Sequence, residues 1–101
     1  MTQDLKATRT RLVLSLCRGR SFWLDNGDDN VRFSVETVYT GHRFTLRRHG
    51  DIDLIFEVNV GVRVEIFKDV FVTANKGTSK WAVVVIEAPR AVRIDRMDEH
   101  E

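Results

Sequence analysis

The sequence predicts a small all-β domain, a sandwich or barrel-like arrangement of antiparallel sheets. Three observations indicate this class. The 101 residues, 43% of them hydrophobic, suffice for one domain with a modest core. Short apolar and β-branched runs recur along the chain, and clusters of Gly, Asn and Asp separate them. No run has a helical character except near the ends, where a short helix is expected over residues 3–9.

The first half of the chain contains four predicted strands, at residues 11–16, 21–24, 31–40 and 44–48. The first of them, RLVLSL, has the continuous apolar character of a strand buried on both faces. In the third, Val31, Phe33, Val35, Thr37 and Tyr39 fall on one face. Between the second and third strands, the Asn-Gly step of DNGDDN predicts a hairpin turn.

The second half contains five more predicted strands, at residues 52–60, 62–67, 70–74, 81–86 and 91–96. Gly61 is expected at a bulge or tight turn between two of them. The run WAVVVI is the most apolar of the chain and predicts a central strand, which Pro89 should end because proline cannot donate to the ladder. In the last strand, Val92, Ile94 and Arg96 share one face.

Charge is informative only in its distribution, because the net charge is +1. Basic residues cluster in residues 1–20 and again in residues 41–50. Such patches are compatible with binding an anion such as RNA, and equally with an ordinary mixed surface.

The compartment is predicted from the single cysteine and the N-terminal segment. Cys17 has no second cysteine with which to form a disulfide or a cysteine-rich metal site. The apolar run Leu12–Leu16 is too short for a signal peptide or a membrane span. We therefore expect a cytoplasmic protein without a membrane partner.

Catalytic and metal-binding patterns are absent from the sequence. His42 and His49 flank a basic segment with no acid at ligand spacing, which favours exposed loop histidines. The acidic turn at residues 25–30 lacks the register and the terminal Glu of a calcium loop. We expect no enzymatic activity, no cofactor and no metal.

Three segments carry a resemblance to a known family. Residues 81–96, WAVVVIEAPRAVRIDR, combine an apolar strand, an Ala-Pro-Arg step and a β-branched strand that ends on an arginine. Residues 62–77 add a hairpin with a Lys-Gly turn, and residues 12–19 add an opening strand and a glycine turn. These patterns resemble the carbon storage regulator (Csr) family of RNA-binding translational regulators. The resemblance covers residues 12–24 and 62–96, about half of the chain.

The chain departs from that family at several places. Leu16 and Cys17 stand where the opening strand normally carries a pair of arginines, and the nearest arginine is Arg18. Residues 25–60 form a long insertion with no counterpart in the short members. The C-terminal helix of the family is essentially missing.

The resemblance implies an intertwined dimer in which the first and last strands of opposite subunits pair. Its two basic surfaces would grip hairpin loops with a GGA core in messenger leaders and so block ribosome access. The residues that it implies for RNA binding are Leu14, Ser15, Ala88, Pro89, Arg90 and Arg96. We add their neighbours Arg18, Arg93 and Ile94 to the candidate site, Arg93 because it lies close to Arg96 on the opposite face of the strand. Arg96 takes the place of the key RNA-contacting arginine.

Each of these residues also has a purely structural interpretation. Arg90, Arg93 and Arg96 are compatible with solvated surface charges, and Leu14 and Ile94 with core or dimer-interface positions. The two tryptophans, Trp23 and Trp81, are core candidates. Trp23 also lies near Arg18 and Arg20 in sequence, so stacking of its ring on an RNA base is the alternative.

The alternative function is protein interaction. A Csr-derived module, encoded on a mobile element, would contact a protein partner through the insertion at residues 25–60 after losing RNA binding. The replacement of two arginines by Leu16 and Cys17 favours this hypothesis.

Overall fold

Every regular element of the structure is a β-strand. A computed structural model describes residues 9–96 of the chain. Its nine strands are β1 (Arg9–Cys17), β2 (Ser21–Asp25), β3 (Asn30–Thr40), β4 (Arg43–Arg48), β5 (Leu54–Asn59), β6 (Val64–Phe67), β7 (Val70–Asn75), β8 (Trp81–Pro89) and β9 (Arg93–Arg96). The all-β prediction is confirmed. The predicted N-terminal helix lies outside the described residues, except for Arg9, which begins β1.

The strands form two antiparallel sheets. Sheet A has the order β1-β8-β7-β6, and sheet B has the order β5-β4-β3-β2-β9. The apolar strand β8 lies between β1 and β7, as the sequence predicted, and it extends to Pro89, its last residue. Between described residues, β1 and β9 pair with one strand each, so both are edge strands.

The core lies between the two sheets. Leu14 and Leu16 enter it from β1, and alternate residues of β7 and β8 do the same. From sheet B, Phe22 and Phe33 stack with ring centroids 5.4 Å apart, and Phe33 meets Phe67 edge-on at 6.4 Å. These aromatic contacts join the two layers.

The two sides of the sandwich differ. On one side the chain passes from β5 to β6, and Val60 bridges to Ala74 of β7 while donating its N–H to the carbonyl of His42 at 3.1 Å. These contacts close that side, because Val60 binds both a strand of sheet A and a turn of sheet B. On the other side lie the edge strands β1 and β9, which do not pair with each other, so no strand pairing closes this side within residues 9–96.

The prediction that the first strand is buried on both faces is wrong. Leu14 and Leu16 are buried, but Leu12 and Val13 are 37% and 48% exposed. Val13 lies on the outer face of sheet A, on which no second layer packs within residues 9–96. Leu12 shares the inner face with Leu14 and Leu16 but lies nearer the start of the edge strand, where it is partly exposed.

The predicted alternation of the third strand fails in its second half. Phe33 and Val35 are buried as expected, but a β-bulge follows Val35 in the pairing with β4. The bulge inserts one unpaired residue and reverses the alternation. Val38 consequently packs against the core, and Tyr39, 48% exposed, lies outside it.

The turns follow the predicted residues closely. Asn26 accepts hydrogen bonds at its side-chain oxygen from the N–H groups of Asp28 and Asp29, at 2.9 and 2.8 Å. Gly27 and Gly61 adopt φ values of +96° and +84°, which side chains other than glycine rarely adopt. The acidic cluster thus forms a local hairpin turn, in agreement with the prediction.

Two glycines hold the insertion against the rest of the chain. Gly77 of the β7–β8 turn donates its N–H to the carbonyl oxygen of Gly41 in the β3–β4 turn at 2.7 Å. A Cβ atom on Gly41 would overlap the Gly77 carbonyl oxygen and come within 2.9 Å of its carbon. The two turns can therefore approach this closely only because Gly41 lacks a side chain; a Cβ atom on Gly77 would instead meet the Trp81 carbonyl oxygen.

Candidate nucleic-acid interface

A small cleft with an exposed tryptophan lies on the open side of the sandwich. It has a volume of about 150 Å³ and is lined by Ser15, Leu16, Arg20, Trp81 and Arg96. We call it the tryptophan cleft. It combines two guanidinium groups, one indole ring and one hydroxyl group, which are the groups that bind phosphates, stack on bases and hydrogen-bond to base edges.

Four strands bring these residues together from distant parts of the sequence. Pairing of β1 with β8 sets Cys17 opposite Trp81 and Leu16 opposite Ala82. Arg20 directly precedes β2. The pairing of β9 with β2 sets Arg96 opposite Phe22, at the end of β2 nearest Arg20. The cleft thus forms where the edges of both sheets meet.

Trp81 is not a core residue, contrary to the prediction. It begins β8 and is 46% exposed. Its N–H donates to the side-chain oxygen of Thr78 at 3.1 Å, and its carbonyl accepts from the Thr78 N–H at 3.2 Å. This turn fixes the backbone beneath the ring. A half-exposed indole on a fixed backbone presents a surface on which a base can stack.

The charged side chains that line the cleft are both basic. Arg20 and Arg96 both line it, and none of its five lining residues is acidic. Asp95 lies next to Arg96 in sequence, but alternation along β9 turns it to the opposite face, where its carboxylate pairs with Arg93 at 3.3 Å. Asp95, the acid next to Arg96 in sequence, is therefore paired with Arg93 outside the cleft.

The β1–β2 turn that carries Arg20 is anchored on sheet B. Gly19, with φ of +89°, donates its N–H to the carbonyl of Val35 at 2.9 Å, and Arg20 accepts from the Val35 N–H at 2.9 Å. The Arg20 N–H donates to the Cys17 carbonyl at 3.1 Å. These backbone bonds place Arg20 at the rim of the cleft.

Some of the predicted RNA-binding residues meet in this region and others are buried. Ser15 and Arg96 line the tryptophan cleft, and Arg18 lies in the adjoining turn. Leu14 and Ala88 are 2% and 0% exposed, so their side chains belong to the core and cannot contact RNA.

The remaining predicted residues do not gather at the cleft. Ile94 packs against the core. Pro89 ends β8, and Arg90 follows it, so both lie at the end of β8 opposite to Trp81, about 26 Å away at the usual rise per residue. Arg93 faces away from Arg96 and is held by Asp95. Within a single chain, the Ala-Pro-Arg segment therefore lies far from the cleft that Arg96 lines.

Arg20 and Trp81 are the residues that the sequence did not assign to this site. Their position follows from the pairing of β1 with β8 and of β2 with β9, which local patterns do not reveal. The one signal that could have indicated Trp81 is its place at the first position of an apolar strand, directly after a turn.

A second polar cluster covers the outer face of sheet B. Arg47 binds Glu36 through two hydrogen bonds of 2.8 and 2.9 Å and Asp53 through one of 2.9 Å. The hydrogen bond from Arg47 is the main cause that lowers the pKa of Glu36. A backbone hydrogen bond from Gly50, followed by the bond from Arg47, lowers the pKa of Asp53. This cluster is a network of paired charges.

His49 belongs to the same face and is not the exposed loop residue that was predicted. Its Nε2 atom lies 2.8 Å from the Ser34 hydroxyl, and the Arg32 guanidinium is 3.3 Å from the ring. Burial, and then the charge of Arg32, lower its pKa. His42 is exposed, as predicted.

Metal binding and membrane spanning find no support in the described part of the chain. Over residues 9–96, no group of three or more His, Cys, Asp or Glu side chains is arranged to hold a metal ion. The same range contains no helix of the length and hydropathy needed to cross a membrane.

Comparisons with known proteins add no relative. No family model matches the chain, and neither a curated protein nor a solved structure resembles it significantly.

Proposed function

We propose that this protein binds single-stranded RNA in a hairpin loop with a GGA core, and that it regulates translation as a Csr-like dimer. The observation that carries the proposal is the tryptophan cleft, which the half-exposed Trp81 lines together with Arg20 and Arg96. The resemblance of residues 81–96 to the family supports it independently of the cleft.

The chemistry required of the cleft is modest. Loop bases are unstacked, so one of them can stack on Trp81, which contributes about 1–3 kcal/mol per base. Arg20 and Arg96 hold the adjoining phosphates. The hydroxyl of Ser15 donates to or accepts from a base edge.

The missing arginine pair of the family has a counterpart in this arrangement. Leu16 is 1% exposed and belongs to the core, so an arginine at this position would have to be buried. Arg20, two residues beyond Arg18 in the anchored turn, supplies the positive charge to the cleft instead.

The dimer is proposed from the edges of the two sheets. The edge strands β1 and β9 both reach the tryptophan cleft through Ser15 and Arg96. Unpaired edges favour pairing with another chain. A second copy that pairs with these edges would satisfy their backbone groups and would form two equivalent sites.

The test is a fluorescence-anisotropy titration of the protein against a GGA-loop hairpin at two salt concentrations, with a loop-mutated hairpin as reference. We expect loop-dependent binding that weakens with salt. Trp81→Ala should weaken binding by about 1–3 kcal/mol, which is about 5- to 150-fold. Arg96→Gln should weaken it and reduce the salt dependence.

The matched control for Arg96→Gln is Arg11→Gln, which removes the same charge. Arg11 is exposed and lies toward the far end of β1 from the cleft. Equal affinity of the Arg11 and Arg96 variants would show that only the overall charge matters. Equal binding of both hairpins, or none, would refute the proposal.

Protein binding through the insertion is the second candidate function. The observation in its favour is a set of exposed apolar side chains on and before the edge strand β5: Ile52 is 79% exposed, Leu54 45% and Ile55 51%. An edge strand with apolar side chains is suited to pairing with a strand of another protein. Ile55→Lys would abolish such binding and leave the RNA titration unchanged.

A further inference from the structure

A second cleft adjoins the tryptophan cleft across the Cys17–Trp81 strand pair. It has a volume of about 370 Å³ and is lined by Cys17, Arg18, Thr37, Val38, Ser79 and Lys80. We call it the Arg18–Lys80 cleft. Its lining offers one guanidinium group, one ammonium group and two hydroxyl groups, and none of these six residues is acidic.

The three segments that form this cleft are held in place by backbone hydrogen bonds. Gly19 and Arg20 bind the backbone of Val35 and so anchor the turn that carries Arg18 on β3. The side-chain oxygen of Thr78 accepts from the N–H of Lys80 at 3.3 Å. The backbone of Lys80 is thereby fixed before any ligand arrives, which lowers the entropic cost of binding.

The Gly41–Gly77 contact brings the remaining wall into place. It ties the β7–β8 turn, which carries Ser79 and Lys80, to the turn that follows β3. The insertion thus contributes Thr37 and Val38 to a cleft whose cations come from the other half of the chain.

The two cations are not neutralised within the cleft. Among residues 9–96, neither Arg18 nor Lys80 forms an ion pair. The charge of Arg18 does act on one acid, Glu36, whose pKa is lowered first by its hydrogen bond to Arg47 and to a smaller extent by Arg18. Because Arg47 binds both oxygens of Glu36, this carboxylate is already engaged elsewhere.

We propose that the Arg18–Lys80 cleft binds a phosphate group, namely an internucleotide phosphate of the RNA strand whose base stacks on Trp81. An arginine, a lysine and hydroxyl donors form the usual donor set for phosphate oxygens. Leu16 and Trp81 line the tryptophan cleft, and their chain neighbours Cys17 and Lys80 line the Arg18–Lys80 cleft. An extended RNA strand can therefore run from one cleft to the other. The RNA source of the phosphate rests on the proposed function, whereas the phosphate chemistry does not.

The first experiment uses inorganic phosphate as the probe and follows backbone amide resonances by ¹H–¹⁵N NMR. Phosphate should shift the amides of Arg18, Ser79 and Lys80 in a saturable manner, and chloride at equal ionic strength should not. Lys80→Met should abolish saturation. Lys68→Met, a matched change in the β6–β7 turn at the other end of sheet A, should leave it intact. Absence of saturable shifts in the wild type would overturn the phosphate site.

The second experiment measures RNA affinity against salt for the wild type, for Lys80→Met and for the double variant Arg18→Gln/Lys80→Met. Each phosphate contact on a single strand contributes about 0.7 to the slope of log affinity against log salt. Lys80→Met should weaken binding about two- to tenfold and reduce the slope by about 0.7. At saturating RNA, quenching of the Trp81 fluorescence should persist in Lys80→Met, because base stacking does not need Lys80.

The outcomes separate the two proposals. A wild-type slope in the double variant would overturn the passage of RNA through this cleft, while the proposed function would stand on the Trp81 and Arg96 variants. Saturable phosphate shifts in a protein that binds no hairpin would overturn the RNA source of the phosphate together with the proposed function. The same shifts would support the phosphate site itself, for a free phosphate compound.

Discussion

Gly41→Ala tests the contact that joins the insertion to the rest of the chain. The new methyl group would overlap the carbonyl of Gly77, so one of the two turns must move. Such a displacement costs about 1–3 kcal/mol, and loss of the Gly77–Gly41 hydrogen bond costs about 0.5–1.5 kcal/mol. The lower entropy of the unfolded alanine chain returns about 0.4–1 kcal/mol. We expect a net loss of about 0.5–4 kcal/mol in the free energy of unfolding.

The measurement is urea unfolding followed by tryptophan fluorescence, with a parallel thermal melt. For a domain of this size, a loss in the middle of that range lowers the melting temperature by about 10–20 °C. Gly50→Ala is the matched control, since the nearest atom to its Cβ would be the Ile52 carbonyl oxygen at an ordinary 3.8 Å. Equal unfolding midpoints for the two alanine variants would refute the reasoning.

Three further predictions concern the two faces of sheet B. Thr45 is 7% exposed and its hydroxyl has no hydrogen-bond partner in the described structure, so Thr45→Val should raise the free energy of unfolding by about 1 kcal/mol in urea titrations; a loss would contradict this. Phe33→Ala should cost about 3–5 kcal/mol by the same assay, because its ring fills the core between the layers, and a cost below about 1 kcal/mol would be inconsistent with that packing. Burial and the charge of Arg32 lower the pKa of His49 from 6.5, so the folded state favours the neutral ring. The stability that the neutral His49 ring contributes is fully present above pH 6.5, and it is lost as the pH falls from there through the folded-state pKa of His49. His49→Gln should flatten that part of a stability profile measured from pH 7.5 to 5, and an unchanged profile would exclude His49 as its source.

The sequence predicts the elements of this fold well because its signals are local. The turns at Asn26-Gly27 and Gly61 require backbone conformations that those residues adopt easily, and they appear where predicted. The apolar run of β8 predicts a central strand, and its neighbours β1 and β7 confirm that position. Each of these features depends on a few consecutive residues.

The failures arise where a distant partner decides the outcome. The alternation of β3 breaks after Val35 because β4 pairs with a bulge, and nothing in the local pattern distinguishes a bulged strand from a regular one. The apolar run of β1 predicted burial on both faces, and Trp81 was predicted to lie in the core, yet Val13 and Trp81 are exposed because sheet A is covered on one face only.

The candidate site shows the same division. Ser15 and Arg96 were assigned by resemblance and do line one cleft, whereas Arg20 and Trp81 join them only through the pairing of four strands. The Ala-Pro-Arg segment was assigned by the same resemblance, but β8 carries it to the far end of the sheet. Proximity in sequence to a strand that leads to the site does not place a residue in the site.

The pairing of the first strand with the eighth has a consequence for synthesis of the chain. Strands β2 to β5 form a meander of consecutive neighbours, so that part of sheet B can assemble as soon as residues 21–59 have left the ribosome. Strand β1 leaves the ribosome before them, but its partner residues 81–89 leave it only after residues 21–59. Its apolar side chains therefore stay unpaired until β8 has been made, and closing this long loop makes the pairing of β1 with β8 slow compared with hairpin formation.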